Sequence, residues 1–225
     1  MSVAYGHAFA AWRAAAQPDW DAYTRHPFVE GLRDGTLPQS CFLTYLVQDY
    51  LFLKNFSRAW ALAVVKAGDL DEMRACSATV HTLLDHEMGL HVQTCARAGL
   101  GPEVLTDTPE AVTNIAYTRY VLEAGYSGDF LDLLAALMPC VLGYGEIGLR
   151  LAQEAAPDTP YREWIDTYAG AEYQAACVSA GALLDSAIRK RLGAAPQESP
   201  RWAALSDRFA TATRLEVAFW ELGGA

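Results

Sequence analysis

Basic side chains are scarce in this sequence. Its 225 residues include 17 Lys and Arg against 27 Asp and Glu, which gives a formal net charge of -10 at pH 7. Affinity for nucleic acids and for anionic membranes comes largely from Lys and Arg contacts with phosphate groups. The acidic balance therefore argues against nucleic acid or a membrane surface as a partner.

The sequence also lacks the cysteine spacing of zinc sites and disulfide scaffolds. The five cysteines are odd in number and far apart, at Cys41, Cys76, Cys95, Cys140 and Cys177. The N-terminal segment carries Trp12, Arg13 and Asp19 where a signal peptide needs an unbroken apolar core. The longest apolar stretch, Leu133 to Gly145, is too short to cross a bilayer and predicts a buried helix. We therefore expect a cytoplasmic protein with reduced cysteines.

Common metal and nucleotide motifs are absent as well. No Glu-x-x-His occurs, which argues against a ferritin-like di-iron centre, and neither G-x-G-x-x-G nor a P-loop is present. His81, His86 and His91 recur at five-residue steps, which turns each ring about 140° from the last on a straight helix. The three cannot share one metal face, so we expect no metal site at these histidines.

Alternating runs of β-branched residues are almost missing, whereas Pro and Gly punctuate the chain at helix-length intervals. The pattern predicts an all-α fold, and a hydrophobic content of 52% is enough to bury a sizeable core. The chain length favours one domain or at most two small ones, and we expect one over residues 1–225. Because three predicted helices are long, we expect it to be a compact bundle. The predicted helices are Val3–Ala16, Pro27–Arg33, Pro38–Ala67, Asp69–Ala98, Pro109–Ala124, Phe130–Ala155, Pro160–Tyr168, Ala171–Leu192 and Pro200–Leu222.

Several helix ends have a local chemical signal. A hydroxyl before a proline is typical of a helix start, and this pattern occurs at Thr108-Pro109, Thr159-Pro160 and Ser199-Pro200. A glycine in the left-handed conformation is typical of a helix end, and we expect it at Gly68, Gly99 and Gly125.

One predicted helix carries a cysteine on its inward face. Steps of four, three, four and three residues define an inward stripe of Leu133, Leu137, Cys140, Tyr144 and Ile147. Gly143 and Gly145 are expected to leave room beside the thiol. A small free cysteine on an apolar stripe is usually a packing residue, so spacing alone leaves both a core residue and a nucleophile open.

Another predicted helix aims a carboxylate into an aromatic stripe, which consists of Tyr45, Asp49, Phe52 and Phe56. A buried Asp must be paired or hydrogen-bonded. Asp49 is therefore either a partner in an ion pair or helix cap, or an anchor for a ligand.

A second carboxylate and two tyrosines lie on other predicted inner faces. The C-terminal stripe contains Ala212, Glu216 and Phe219. Apolar burial raises a carboxyl pKa and makes Glu216 a candidate proton donor or acceptor near neutral pH. The alternative is a Glu at the bundle rim, paired with Arg214 or an arginine of another helix. Tyr117 and Tyr168 are either core residues with satisfied hydroxyls or groups that stack on a bound ring.

These segments together resemble the TenA family, also called thiaminase II. One segment resembles the N-terminal signature of the family: HPFVEGLRDGTLPQSCFLTYLVQDYLFLKNFSRAWALAVVKA. Four later segments resemble successive family motifs in the same order, namely AVTNIAYTRYVL, LLAALMPCVLGYGEIG, YREWIDTYAG and LEVAFW. The similarity spans almost the whole chain. It implies a heme-oxygenase-like (TenA-like) helical bundle that binds no heme and is usually assembled as a homotetramer.

The resemblance also implies a role for each of the singled-out residues. Cys140 matches the family nucleophile, Glu216 its catalytic acid/base, and Asp49 the carboxylate that holds the edge of the aminopyrimidine. The pocket residues implied are Phe52, Tyr117, Tyr144, Tyr168 and Phe219. The implied reaction is hydrolysis of an aminomethyl-aminopyrimidine, and often of thiamine itself, to hydroxymethylpyrimidine without a metal or organic cofactor. The thiolate adds to the electron-poor ring while Glu216 protonates or hydrogen-bonds a ring nitrogen.

Two positions depart from the family pattern. Phe52 stands where many members have tyrosine, and Leu215 stands before Glu216 where an aromatic residue is common. Loss of a phenolic hydroxyl near the thiol is expected to affect rate or substrate preference rather than the reaction class. His86 also resembles a family histidine, and we expect it to be structural. Two other functions stay open, a heme-oxygenase-like metal-dependent oxidase and a catalytically silent pyrimidine-binding or regulatory protein.

Overall fold

The computed structural model describes residues 5–224, apart from the side chains of His86, Glu87 and Leu90. Within these residues the chain forms helices and no β-strand, which confirms the all-α prediction. A π-helical turn covers Leu83–Glu87, and short 3₁₀ turns cover Pro196–Glu198 and Glu221–Gly223. The α-helices are α1 His7–Ala15, α2 Gln17–Thr24, α3 Pro27–Asp34, α4 Gln39–Lys66, α5 Leu70–Thr82, α6 Met88–Arg97, α7 Pro102–Asp107, α8 Val112–Ser127, α9 Phe130–Glu154, α10 Arg162–Ala169, α11 Ala171–Leu192 and α12 Pro200–Trp220.

Most predicted helices are present with ends shifted by a few residues, but two helices are not predicted. These are α2 and α7, which have 8 and 6 residues and are too short to display a clear 3.6-residue period. The predicted start of the first helix, Val3, lies outside the described residues, and α1 begins at His7.

Of the three predicted hydroxyl caps, one is confirmed. Ser199 accepts a hydrogen bond from a backbone N–H in the first turn of α12. The other two are wrong because the helices begin further along the chain, after Ala111 and Tyr161. Thr108 directly follows α7, and its hydroxyl donates to the carbonyl of Val104 in that helix. Helix α8 begins four residues later, at Val112. Thr159 donates to the carbonyl of Leu32 across the fold, and α10 begins after it.

The glycine predictions are confirmed at one position only. Gly99 has a φ of 82°, as expected for a left-handed helix end. Gly68 does not have a positive φ. Gly125 lies inside α8, where an added Cβ would be 2.5 Å from the side chain of Leu62. That glycine permits close packing of α8 on α4 rather than ending a helix.

The predicted helix from Asp69 to Ala98 is interrupted by the π turn between α5 and α6. Eight residues separate Leu83 from His91, and on a straight α-helix this step would turn their side chains about 80° apart. A π turn accommodates one extra residue, so the eight-residue step is equivalent to seven residues of an α-helix. The side chains of Leu83 and His91 then point in directions that differ by about 20°. Both side chains are accordingly buried.

Helix α9 forms the centre of the bundle and packs against α4, α8, α10, α11 and α12. By length and composition it could cross a membrane, with a mean hydropathy of 1.5 over its most apolar window, but 94% of that window is buried inside the protein. The prediction of a buried helix over Leu133 to Gly145 is confirmed. Because α4, α8 and α12 all contact α9, their inward stripes converge beside Cys140.

Candidate active site

Glu216, on α12, lies in a buried polar cluster formed with α8 and α9. The Tyr117 hydroxyl donates to its Oε1 at 2.7 Å, and the side chain of Cys140 is also hydrogen-bonded to this carboxyl group. The pKa of Glu216 is raised to about 8, mainly by burial and also by the nearby charge of Asp49, against the opposing effect of the two hydrogen bonds. Glu216 can therefore hold and release a proton close to neutral pH.

The alternative position for Glu216 at the bundle rim is wrong. Its side chain is only 1% exposed, and the guanidinium of Arg214 instead contacts Asp19 at 3.1 Å. The carboxyl group thus has a thiol and a phenol beside it, and its high pKa follows from apolar surroundings.

Asp49, on α4, is buried and tightly paired. Its Oδ2 lies 2.6 Å from Nε2 of His91 on α6 and accepts a hydrogen bond of 3.1 Å from the hydroxyl of Tyr45. The indole N–H of Trp164 donates in turn to the Tyr45 hydroxyl at 3.3 Å. The partner of Asp49 is therefore a histidine on a neighbouring helix, and the network fixes the orientation of its carboxylate.

Tyr144 connects these two carboxyl groups. Its hydroxyl lies 3.4 Å from that of Tyr45, and its pKa is raised first by burial and then by the charges of Tyr45, Asp49 and Glu216. The electrostatic influence of both carboxyl groups on one phenol places them in the same site. Tyr168 packs against Tyr144 with ring centroids 4.9 Å apart and supports it from α10.

An aromatic wall lies on the Glu216 side of the site. The ring of Phe52 is 4.9 Å from that of Tyr117 and 5.3 Å from that of Phe219, centroid to centroid. All three side chains are buried. This aromatic wall excludes water from Glu216, and its rings offer surfaces on which a flat ligand ring can stack.

The structure thus brings the inward stripes together around Cys140, but two residues were missed by sequence reasoning. His91 was discounted because straight-helix counting ignores the π turn before it. Tyr23 lies on α2, which was not predicted, and its ring occupies the space that Gly143 leaves, 2.2 Å from where a Cβ would be. The expectation for the glycines is therefore corrected: Gly143 makes room for Tyr23, and Gly145 makes room for other residues, with the Sγ of Cys177 2.6 Å from its Cβ position.

Of the other histidines of the α5–α6 region, the described side chain is that of His81. His81 pairs with Asp85 at 2.6 Å on an exposed surface, and the side chain of His86 lies outside the described residues. Over the part of the chain that the structure describes, no three His, Cys, Asp or Glu side chains form a group that could hold a metal ion.

Comparisons with known proteins identify the family of this chain. A sequence model of the TENA/THI-4/PQQC family matches residues 13–223. An aminopyrimidine aminohydrolase from Halalkalibacterium halodurans is 39% identical over 209 residues, which make up 92% of this chain and 91% of that protein. The crystal structure of a TenA family transcription regulator from Silicibacter sp. TM1040 is 59% identical, with a TM-score of 0.97 over 99% of both chains.

A more distant comparison concerns the fold alone. A domain of unknown function from Shewanella denitrificans, described as having a heme oxygenase-like fold, has a TM-score of 0.72 at 15% identity and covers 95% of this chain and 90% of that one. The predicted heme-oxygenase-like bundle is confirmed. Since the family model spans nearly the whole sequence, the chain belongs to the TENA/THI-4/PQQC family.

Proposed function

We propose that this protein is an aminopyrimidine aminohydrolase of thiamine salvage. It converts an aminomethyl-aminopyrimidine to 4-amino-5-hydroxymethyl-2-methylpyrimidine and releases ammonia. The observation that carries the proposal is the hydrogen bond between the Cys140 side chain and a carboxyl group whose pKa is about 8, within a site that also contains a buried aspartate. Relatives that share most of this chain's length are described as enzymes of this class.

Binding of the substrate depends first on Asp49. Its carboxylate accepts hydrogen bonds from the exocyclic amine of the pyrimidine, and His91 and Tyr45 hold it in position for this contact. A site built to pair with this edge rejects rings that lack it, because the buried carboxylate would then lose a partner. Tyr144, Tyr168 and the aromatic wall of Phe52, Tyr117 and Phe219 confine the ring between Asp49 and Cys140.

Addition of the thiol is the first chemical step. In its ionised form, which a pKa of about 8 leaves accessible at neutral pH, Glu216 accepts the proton of Cys140. The sulfur then forms a bond to a ring carbon, and Glu216 passes the proton to a ring nitrogen as that nitrogen gains electron density. A pKa near 8 suits a group that must take up and return one proton at neutral pH. Tyr117 holds the carboxyl group in place through its hydrogen bond.

The adduct is an enamine that expels the group on the exocyclic methylene. The C–N bond breaks with its electron pair on nitrogen, ammonia leaves, and water adds to the methylene carbon. As the C–S bond breaks, Glu216 takes back the proton from the ring nitrogen and passes it to the sulfur. The proton lost by the added water goes to the released ammonia or to solvent. With thiamine as substrate the same steps release the thiazole, so one site serves both substrates.

One experiment tests the reaction and its nucleophile. The purified protein is incubated with the aminomethyl-aminopyrimidine and separately with thiamine, and hydroxymethylpyrimidine is measured by chromatography. We expect wild type to form the product and Cys140→Ser to lose about 10³-fold or more of kcat while remaining folded. Cys41→Ser is the matched control, because Cys41 is a partly exposed free cysteine outside the site.

The results separate the competing functions. Equal rates for wild type and Cys140→Ser would contradict the role of the thiol. Ligand binding without product from wild type would instead favour a catalytically silent pyrimidine-binding protein. A DNA-binding regulator is disfavoured by the net charge of -10, because nucleic-acid affinity requires basic side chains.

We further propose that the protein is a homotetramer in the cytoplasm. The five cysteines form no disulfide in the part of the chain that the structure describes, which fits a reducing compartment. Helix α8 exposes large apolar side chains, at Val112, Ile115 and Tyr126, which a subunit contact would cover. Sedimentation equilibrium is expected to give four times the mass of the 24.5 kDa chain, and a monomer at micromolar concentration would overturn this proposal.

A further inference from the structure

Tyr23 is a fully buried tyrosine whose position is fixed by packing. Its ring contacts Trp20 edge-on at 5.6 Å and stacks on Trp220 at 6.2 Å, centroid to centroid. The hydroxyl oxygen reaches α9 at Gly143, 2.7 Å from where a Cβ of that residue would lie. Gly143 follows Cys140 by three residues and therefore lies on the same side of α9, one turn further on. The phenol is thus held one helical turn from the thiol.

The hydroxyl of Tyr23 has no hydrogen-bond partner among the described residues, although its residue is 0% exposed. Other tyrosines of the site are paired, since Tyr117 donates to Glu216 and Tyr45 to Asp49. Burying an unpaired hydroxyl destabilises a fold, and each such group calls for an explanation, of which a role in ligand binding or catalysis is one. A phenylalanine would fill the same space without this cost.

The electrostatic neighbours of Tyr23 identify which end of the site it faces. Burial and the charges of Glu216 and Cys140 are the largest causes that raise its pKa. For Tyr144, by contrast, Tyr45 and Asp49 have the larger influence after burial. Tyr23 therefore lies at the reacting end of the site, and with its raised pKa it stays a neutral phenol that both donates and accepts hydrogen bonds.

We propose that Tyr23 is a substrate-contacting residue whose hydroxyl oxygen accepts a hydrogen bond from the protonated amine on the exocyclic methylene of the substrate. This inference rests on the proposed function, in which Asp49 binds the amine on the ring. Cys140 attacks the ring carbon, and Glu216 contacts the ring nitrogen. The aminomethyl group is the remaining polar part of the substrate. Contact with Tyr23 stabilises its ammonium form, which leaves as neutral ammonia when the C–N bond breaks and its electron pair stays on nitrogen. Tyr23 transfers no proton in this step.

The test compares two ligands that differ only in this amine. Tyr23→Phe is made in the Cys140→Ser background, where ligands bind without turnover, and binding is measured by isothermal titration calorimetry. The ligands are the aminomethyl-aminopyrimidine and 4-amino-2,5-dimethylpyrimidine, which has a methyl group in place of the aminomethyl group. The matched control is Tyr120→Phe, which also removes one phenolic oxygen, from a hydroxyl bound to the carbonyl of Arg208 outside the site.

We expect Tyr23→Phe to weaken binding of the aminomethyl ligand about 10-fold, as for loss of one charge-assisted hydrogen bond, and to leave the dimethyl ligand unchanged. In the background with Cys140 intact, its kcat should fall by a similar factor. Its melting temperature should stay the same or rise, because the unpaired hydroxyl is gone. Tyr120→Phe should leave both affinities and kcat unchanged.

Equal weakening of both ligands, no weakening of either, or a lower melting temperature accompanied by loss of both would overturn the proposal, since each points to packing rather than to contact with the amine. Weaker binding of the aminomethyl ligand alone can be measured even if the wild-type protein shows no turnover. Such a result would refute the aminohydrolase reaction but would still support the contact between Tyr23 and the amine.

Discussion

Asp49 and Glu216 are both buried carboxyl groups of one site, and the helices around them give them different partners. Asp49 has an imidazole 2.6 Å away and a phenol that bonds the same oxygen. Glu216 has a phenol, a thiol and an aromatic wall, with no basic side chain among the groups that influence its pKa. The value is accordingly raised to about 8.

This difference assigns separate tasks to the two ends of the site. A carboxylate next to a histidine is suited to a fixed hydrogen-bonding role, which recognition of an amine requires. A carboxyl group with a raised pKa is suited to proton exchange during a reaction. When the surroundings of two titratable groups differ in this way, recognition and proton transfer can be assigned to different residues.

The strongest test of this difference between the two carboxyl groups is to remove proton exchange at Glu216 alone. Glu216→Gln keeps the shape and the hydrogen bond to Tyr117 but can neither take nor return a proton. We expect kcat to fall about 10²- to 10⁴-fold while the affinity for hydroxymethylpyrimidine changes little. Steady-state kinetics and calorimetric titration measure the two effects. A mainly increased KM with unchanged kcat would assign Glu216 to recognition instead.

The stability of the protein should report the same contrast through its pH dependence. The pKa of Glu216 is about 8 in the folded protein against 4.5 for the ordinary group. Between these values the unfolded chain releases the proton and the folded chain does not. The contribution of the protonated Glu216 to the free energy of unfolding is therefore fully present below about pH 4.5 and is lost as the pH rises towards 8.

Glu216→Gln has no such proton, so its stability relative to wild type should increase over this range by roughly 3–5 kcal/mol. Urea unfolding of both proteins at several pH values between 5 and 8.5 measures the difference. Two curves that stay parallel across this range would show that burial does not raise the Glu216 pKa as the structure indicates.

The stripes that build this site could be predicted because each lies within one uninterrupted α-helix. Periodicity alone placed Asp49, Cys140, Tyr144 and Glu216 on inner faces, and all four are buried. It could not identify their partners, since Tyr117 and Glu216 are 99 residues apart in the sequence. Such pairs depend on how the helices pack, which a local pattern does not contain.

Where local rules failed, tertiary contacts or an irregular turn had the larger effect. The hydroxyl of Thr159 donates to the distant carbonyl of Leu32, and α10 begins only at Arg162. The π turn at Leu83–Glu87 rotates α6 so that His91 faces Asp49. A helix of 8 residues carries Tyr23 into the site without a recognisable period. Residues on short or interrupted helices were therefore the ones missed.

His91 offers the mildest test of the comparison, because it acts on the substrate only through Asp49. In His91→Gln an amide on a more flexible side chain can still donate to the carboxylate but orients it less well, and we expect KM to rise about 10-fold with kcat within about threefold of wild type. His91→Phe removes the donor and leaves Tyr45 as the partner shown for Asp49 Oδ2, so its KM should rise further. Steady-state kinetics at pH 7 measures both variants. If His91→Gln lowered kcat as strongly as Glu216→Gln, the two ends of the site would share the proton chemistry, and the division between recognition and reaction would have to be given up.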